Sequence, residues 1–278
     1  MKDTSGIGAP ARRRLTRCIA LFAGALLASA ALKAQAGPSW IESAHFAFAT
    51  AKSTEDGAIG AQHLVVKRHG HPPQRLDPGI PAGIPISALA IDGADVYLVT
   101  RVTWRMGQTL VTPRDVVKIG PGGNASLFLR GNNLGLPHTT RIEALSIRDG
   151  EVLFSLDIHA DIGGLKTRPS DILQRNGNTL SIRYAANTLG IPASIKLSAL
   201  DRTANGNLLM SFANGGEIAG LQTMPGDLLE YRPESATWTR NRSRTRLGVE
   251  CAPCDLTAIA TITSASTVFR SGVEAHED

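Results

Sequence analysis

The tightest constraint on this chain is a period. Pro-x-Asp occurs at Pro113-Arg114-Asp115, Pro169-Ser170-Asp171 and Pro225-Gly226-Asp227, so three aspartates stand 56 residues apart, twice. An Ala-Leu/Ile pair recurs at Ala88-Leu89, Ala144-Leu145, Ala199-Leu200 and Ala258-Ile259. A glycine precedes a hydrophobic run at Gly93, Gly150 and Gly206, and Leu-Gly-Leu/Ile-Pro closes at Pro137 and Pro192 with echoes at Gly79-Ile80-Pro81 and Leu247-Gly248-Val249. Independent landmarks sharing one spacing define a tandem repeat. A repeat of this length cannot cover its own apolar face and must stack on its neighbours.

Each unit reads as four short strands, for example 86–91, 96–101, 116–119 and 126–131, with Gly and Pro in the turns. No stretch after residue 37 shows helical periodicity. The first unit starts at Trp40-Ile41 without the Ala-Leu strand that opens the others, and 256–264 supplies such a strand at the far end. A strand missing at one end and surplus at the other is what a ring closed by strand exchange requires, and closure removes exposed sheet edges. The expected fold is therefore an all-β, four-bladed β-propeller closed by its C-terminal strand. The units run approximately 40–85, 86–141, 142–196 and 197–250, with 256–264 closing. An open stack of β-repeats is the alternative.

The Gly-strand, Pro-x-Asp, Leu-Gly-x-Pro and Ala-Leu series resembles tandem repeats in secreted bacterial proteins of unknown function. In blade count and length the layout is also similar to hemopexin-like propellers, by architectural analogy that carries no function. A cysteine pair joining first and last blades, as in hemopexin, is absent from this chain.

Residues 1–36 follow the plan of a secretory signal peptide. Arg12, Arg13, Arg14 and Arg17 precede an apolar run from Cys18 to Leu32, and Ala34-Gln35-Ala36 places cleavage before Gly37. The apolar run is shorter than the roughly 20 residues of a comfortable membrane span. Of 29 Lys and Arg and 24 Asp and Glu, six and one lie in 1–36, which leaves 23 of each and a mature net charge of zero. The basic character thus belongs to the leader, and the case for nucleic acid as partner falls away. The expectation is a periplasmic or secreted monomer comprising one domain, 37–278, with no transmembrane segment after cleavage.

Candidate chemistry is sparse. Cys251-Ala252-Pro253-Cys254 matches a redox spacing, but it lies in a loop before a strand; in an oxidising compartment Cys251 and Cys254 are expected to form a local disulfide. Asp115, Asp171 and Asp227 share one place in three units, with His63 at the fourth. They suit either a cation near the axis or, more simply, hydrogen bonds to their own turns. Arg240, Arg242, Arg244 and Arg246 alternate, which on a regular strand sets them on one face as a patch for anionic ligands. Asp157, His159 and Asp161 alternate too, in what reads as a loop after the second strand. Trp40, Trp104 and Trp238 read as packing residues. No nucleophile or metal motif such as G-x-S-x-G or H-E-x-x-H occurs.

No cofactor or metal is expected. These features point to a non-catalytic binding or interaction scaffold, with a glycan or a protein as partner. The alternative is an enzyme acting on carbohydrate or a small metabolite with its site near the propeller axis.

Overall fold

In a computed structural model that describes residues 41–48, 52–54, 57–68, 71–242 and 256–263, the chain is an all-β, four-bladed propeller. The first blade uses β1 (Ile41–Phe48), β2 (Lys52–Thr54), β3 (Gly57–Ile59), β4 (Leu64–Arg68) and β5 (Gln74–Leu76). The second uses β6 (Ile86–Asp92), β7 (Asp95–Thr100), β8 (Trp104–Met106), β9 (Thr109–Val111), β10 (Val116–Ile119) and β11 (Ala125–Leu129). The third uses β12 (Ile142–Arg148), β13 (Glu151–Leu156), β14 (Ala160–Ile162), β15 (Leu165–Thr167), β16 (Ile172–Asn176) and β17 (Thr179–Tyr184). The fourth uses β18 (Leu197–Arg202), β19 (Leu208–Phe212), β20 (Gly216–Ile218), β21 (Leu221–Thr223), β22 (Leu228–Arg232) and β23 (Thr237–Arg242).

The last strand, β24 (Leu256–Thr263), pairs antiparallel with β1 from Phe48↔Leu256 to Ile41↔Thr263. The first blade is therefore ordered β24-β1-β4-β5, and the other three run β6-β7-β10-β11, β12-β13-β16-β17 and β18-β19-β22-β23. Strand exchange between the two ends of the chain closes the ring.

The inner strands β6, β12, β18 and β24 converge on the axis, and there the Ala-Leu pair finds its reason. Successive side chains of a strand point to opposite faces. Ala88 packs with Leu145, Ile147 and Phe154 of the following blade, and Ala144 packs with Leu200, Met210 and Phe212 of the next. Ala199 meets Phe46 and Val65 of the first blade, and Ala258 meets Leu89 and Leu98 of the second. Each cleft is thus a small residue against a large one, which lets four sheets approach the axis without voids or overlap.

Each blade also carries a two-stranded hairpin between its second and third strands: β2–β3, β8–β9, β14–β15 and β20–β21. At 157–161, where the sequence leads one to expect a loop, the chain enters one of these hairpins. Their three-residue arms are too short for alternation to register. The hairpins cover the connections between blades: Ile162 packs with Leu134 and Leu136, and Ile218 with Leu189 and Ile191. The glycine of Leu-Gly-Leu/Ile-Pro turns the chain with a left-handed backbone, φ +71° at Gly135 and +72° at Gly190, a region that costs other residues a Cβ clash. A 3-10 turn at Gly131–Leu134 precedes the first of these glycines.

His45 lies within β1 with its Nδ1 buried and unbonded among the described residues. Burial first, then the Arg68 charge, lower its pKa from 6.5 to about 4. Folding therefore favours the neutral ring. The stability this provides is complete above the unfolded value and is lost as pH falls toward the folded one.

Two outcomes follow for the fold. Ala199→Leu should overfill the cleft against Phe46 and lower the unfolding free energy by about 1–3 kcal/mol in urea titration. The urea midpoint should fall as pH drops from 6.5 toward 4, and His45→Gln should flatten that part of the profile.

Candidate functional site

The repeated aspartates fasten turns. Asp115 Oδ2 accepts the Thr112 backbone N–H and hydroxyl, each at 2.8 Å, while Oδ1 accepts the Gly131 N–H at 3.0 Å. Asp171 Oδ2 accepts the Arg168 N–H at 2.8 Å and Oδ1 the Ala186 N–H at 2.8 Å. Asp227 Oδ2 accepts the Met224 N–H at 3.1 Å. In each case the carboxylate bonds the residue three places earlier, and Asp115 and Asp171 also tie the start of the third strand to the backbone beyond the fourth. His63 does the same work in the first blade, its Nδ1 accepting the Gly60 N–H at 2.8 Å. Among the described residues no three His, Cys, Asp or Glu gather as a metal site.

The other sequence candidates are also dispersed. Asp157 Oδ1 accepts the Arg141 N–H at 2.7 Å, and its second oxygen lies 3.4 Å from the same arginine's guanidinium. Asp161 caps the β14–β15 turn through the Gly164 N–H at 2.8 Å, and His159 is exposed. Trp104, the first residue of β8 in the hairpin of the second blade, is buried with Leu98, Val111 and Val117. Trp238 packs on Tyr231 and donates from Nε1 to the Leu189 carbonyl at 2.8 Å.

The expected alternation of arginines does not continue along β23. Leu229 pairs with residue 240 and Leu228 with residue 242, so Asn241 is an extra residue in the strand. Leu228 and Leu229 face different clefts, and the bulge accordingly puts positions 240 and 242 on opposite faces of the sheet. Arg240 donates to the Gln222 carbonyl and lies 3.9 Å from Asp227. Arg244, Arg246, Cys251, Cys254 and Trp40 lie outside the described residues.

One interior group escaped the sequence reading. Two places after each inner alanine stand Ala90, Ser146, Asp201 and Ala260, three small residues and one carboxylate. Asp201 is buried, and its Oδ2 accepts the Thr261 N–H at 2.7 Å and the Thr261 hydroxyl at 2.5 Å. Its Oδ1 accepts the Arg202 N–H at 2.8 Å and lies 3.4 Å from the Ser146 hydroxyl. Three of the four inner strands thus meet through one carboxylate. Burial pushes its pKa up, opposed by the Thr261 bonds and the Arg148 charge. Its break from the repeat was the available signal.

A second difference between blades marks a pocket. In the cleft between the second and third blades, Phe128 sits on Tyr97 with ring centroids 4.8 Å apart, and Ile147 fills the space below. Phe128 is the bulged residue of β11, lying between the paired Leu127 and Leu129. One repeat later the bulged residue of β17 is Arg183, between Ile182 and Tyr184, and the counterparts of Tyr97 and Ile147 are Leu153 and Arg202. A plug of two aromatic rings and an isoleucine becomes a leucine and two arginines.

The result is a 220 Å³ pocket between the third and fourth blades. Its lining includes Glu151, Arg183, Tyr184, Arg202, Asn205 and Glu234. Arg202 forms an ion pair with Glu151, which also accepts from Gln174 Nε2 at 2.9 Å. Arg183 lies over the Tyr184 ring, 5.3 Å from its centroid. At the opposite end of the propeller, Glu143 joins Arg101 at 3.2 Å and Arg141 at 2.7 Å.

No protein-family model and no curated protein matches the chain. Solved structures with distant likeness include a Bacteroides thetaiotaomicron protein of unknown function, with TM-score 0.36 and 12% identity over 70% of this chain and 47% of that one. The chain thus spans about half the length of that protein. YCF48 bound to a D1 peptide gives TM-score 0.30 and 11% identity over 73% and 68% of the two chains. A Bacteroides caccae protein of unknown function gives 0.32 and 10% over 72% of each.

Asp201→Asn should lower stability by about 1–3 kcal/mol, because one amide oxygen cannot accept from both Thr261 and Arg202. Denaturant titration measures this, and an unchanged midpoint would mean that the axis closes without the carboxylate.

Proposed function

We propose that the protein is an exported, non-catalytic β-propeller that serves as a binding scaffold. The observation that carries the reading is the cleft between the third and fourth blades, where arginines stand in place of the apolar plug of the preceding cleft and a polar pocket opens. Several acidic candidates are committed to holding the fold. Asp115 and Asp171 hold backbone donors with both oxygens, Asp201 joins inner strands, and Glu143 and Asp157 pair with arginines. The enzyme alternative placed its site near the axis, where Leu89, Leu145 and Leu200 are buried against small residues.

A glycan or a protein is the partner class proposed for such a scaffold, in the periplasm or outside the cell, with Gly37 as the mature N-terminus and a disulfide between Cys251 and Cys254. Mass spectrometry of the exported protein should give a chain beginning at Gly37 and two hydrogens lighter than the reduced form. Retention of residues 1–36 would overturn the export reading. Ligands that raise the melting temperature should be recovered chemically unchanged after prolonged incubation. Their conversion to product would overturn the non-catalytic reading.

A further inference from the structure

We infer that the pocket between the third and fourth blades binds a small zwitterion, an α-amino acid, with its carboxylate on Arg183 and its ammonium on Glu234. The inference rests on the scaffold reading and names the ligand class for its pocket.

Comparison between blades supplies the first argument. Arg183 occupies the bulge position that Phe128 fills one repeat earlier, and Arg202 stands where Ile147 packs. A fold that closes one cleft with an aromatic cluster has opened the equivalent cleft, and has done so with charge. A bulge re-aims side chains, and at Ile182–Tyr184 it brings Arg183 and Tyr184 together on the pocket wall.

Electrostatics gives the second. The wall carries two arginines and two glutamates. Arg202 and Glu151 neutralise one another in an ion pair. Arg183 makes its cation–π contact with Tyr184 and no ion pair among the described residues, and Glu234 makes no ion pair among them either. Among the described residues, one cation and one anion without an ion-pair partner therefore border a single pocket. A dianion such as phosphate would meet both glutamates, and a simple amine would meet both arginines. A zwitterion complements the pair with no net charge brought in.

Geometry gives the third. A guanidinium laid on an aromatic ring keeps its N–H edge available for the two oxygens of a carboxylate. The volume, 220 Å³, falls below the range of about 300–1,000 Å³ usual for drug-sized ligands and suits a molecule of amino-acid size. Asn205 adds an uncharged donor and acceptor at the rim.

The test is ligand-observed NMR on the mature protein with the twenty standard L-amino acids, followed by calorimetry on the best binder. Its decarboxylated amine and its deaminated acid serve as matched probes. The expected result is saturable binding, with each matched probe weaker than the zwitterion. Arg183→Gln should weaken binding by about tenfold or more, the loss of a charge-assisted hydrogen bond, and Glu234→Gln should weaken the amino acid and its amine but not the deaminated acid. Arg183→Phe restores the plug of the preceding cleft and should abolish binding while the protein keeps its wild-type melting temperature or gains on it. Absence of binding by all twenty, or binding that survives Arg183→Phe, overturns the inference. A glycan or protein partner held equally by wild type and Arg183→Phe would also overturn it, while leaving the scaffold reading intact.

Discussion

Four sheets meeting at one axis must solve a crowding problem, and the alternation of small and large residues on the inner strands solves it. Ala88, Ala144, Ala199 and Ala258 face forward into one cleft, while Leu89, Leu145 and Leu200 face back into the other. A larger residue at the alanine would push the sheets apart, and a smaller one at the leucine would leave a void. Strand exchange is a second requirement of the same geometry. Without β24 on β1, the first blade would present no inner strand, and Leu89 and Leu98 would lose their cover.

The polar residues of the repeat serve this closure. The aspartates that begin the third strands accept backbone N–H groups at the turn, and in the second and third blades also beyond the outer strand. His63 replaces the aspartate in the first blade and still accepts the equivalent N–H. An imidazole nitrogen is enough of an acceptor for the turn, which explains how a residue unsuited to an oxygen-ligated cation can stand in the series. Asp201 extends the principle to the axis, where one carboxylate takes donors from neighbouring inner strands.

Against this uniform background, function is sought where the blades differ. The cleft between the second and third blades is closed by Tyr97, Phe128 and Ile147. The next cleft has Leu153, Arg183 and Arg202 at the corresponding places, and Arg183 remains without a carboxylate partner among the described residues. Structural repetition makes such departures legible: the positions that hold the fold together recur, and those that do not recur are released from that task.

The period, together with the short apolar runs and a strand missing at one end and surplus at the other, pointed to the all-β class, the four blades and the exchange of strands between the chain ends, and the pairing of β24 with β1 decided for the closed ring over an open stack. The period also marked the turn aspartates and the inner alanines, whose roles are local or repeat with the blade. Tertiary structure decided what depends on contacts between blades. The hairpins β8–β9, β14–β15 and β20–β21 have arms too short to announce themselves, and they form where they can cover a neighbouring connection. The bulge at Asn241 breaks an arginine alternation that the sequence displays as regular. Asp201 and Arg183 stand out only when the blades are compared position by position, because a residue's place in a cleft is set by the opposing blade and by a strand register that spacing does not reveal.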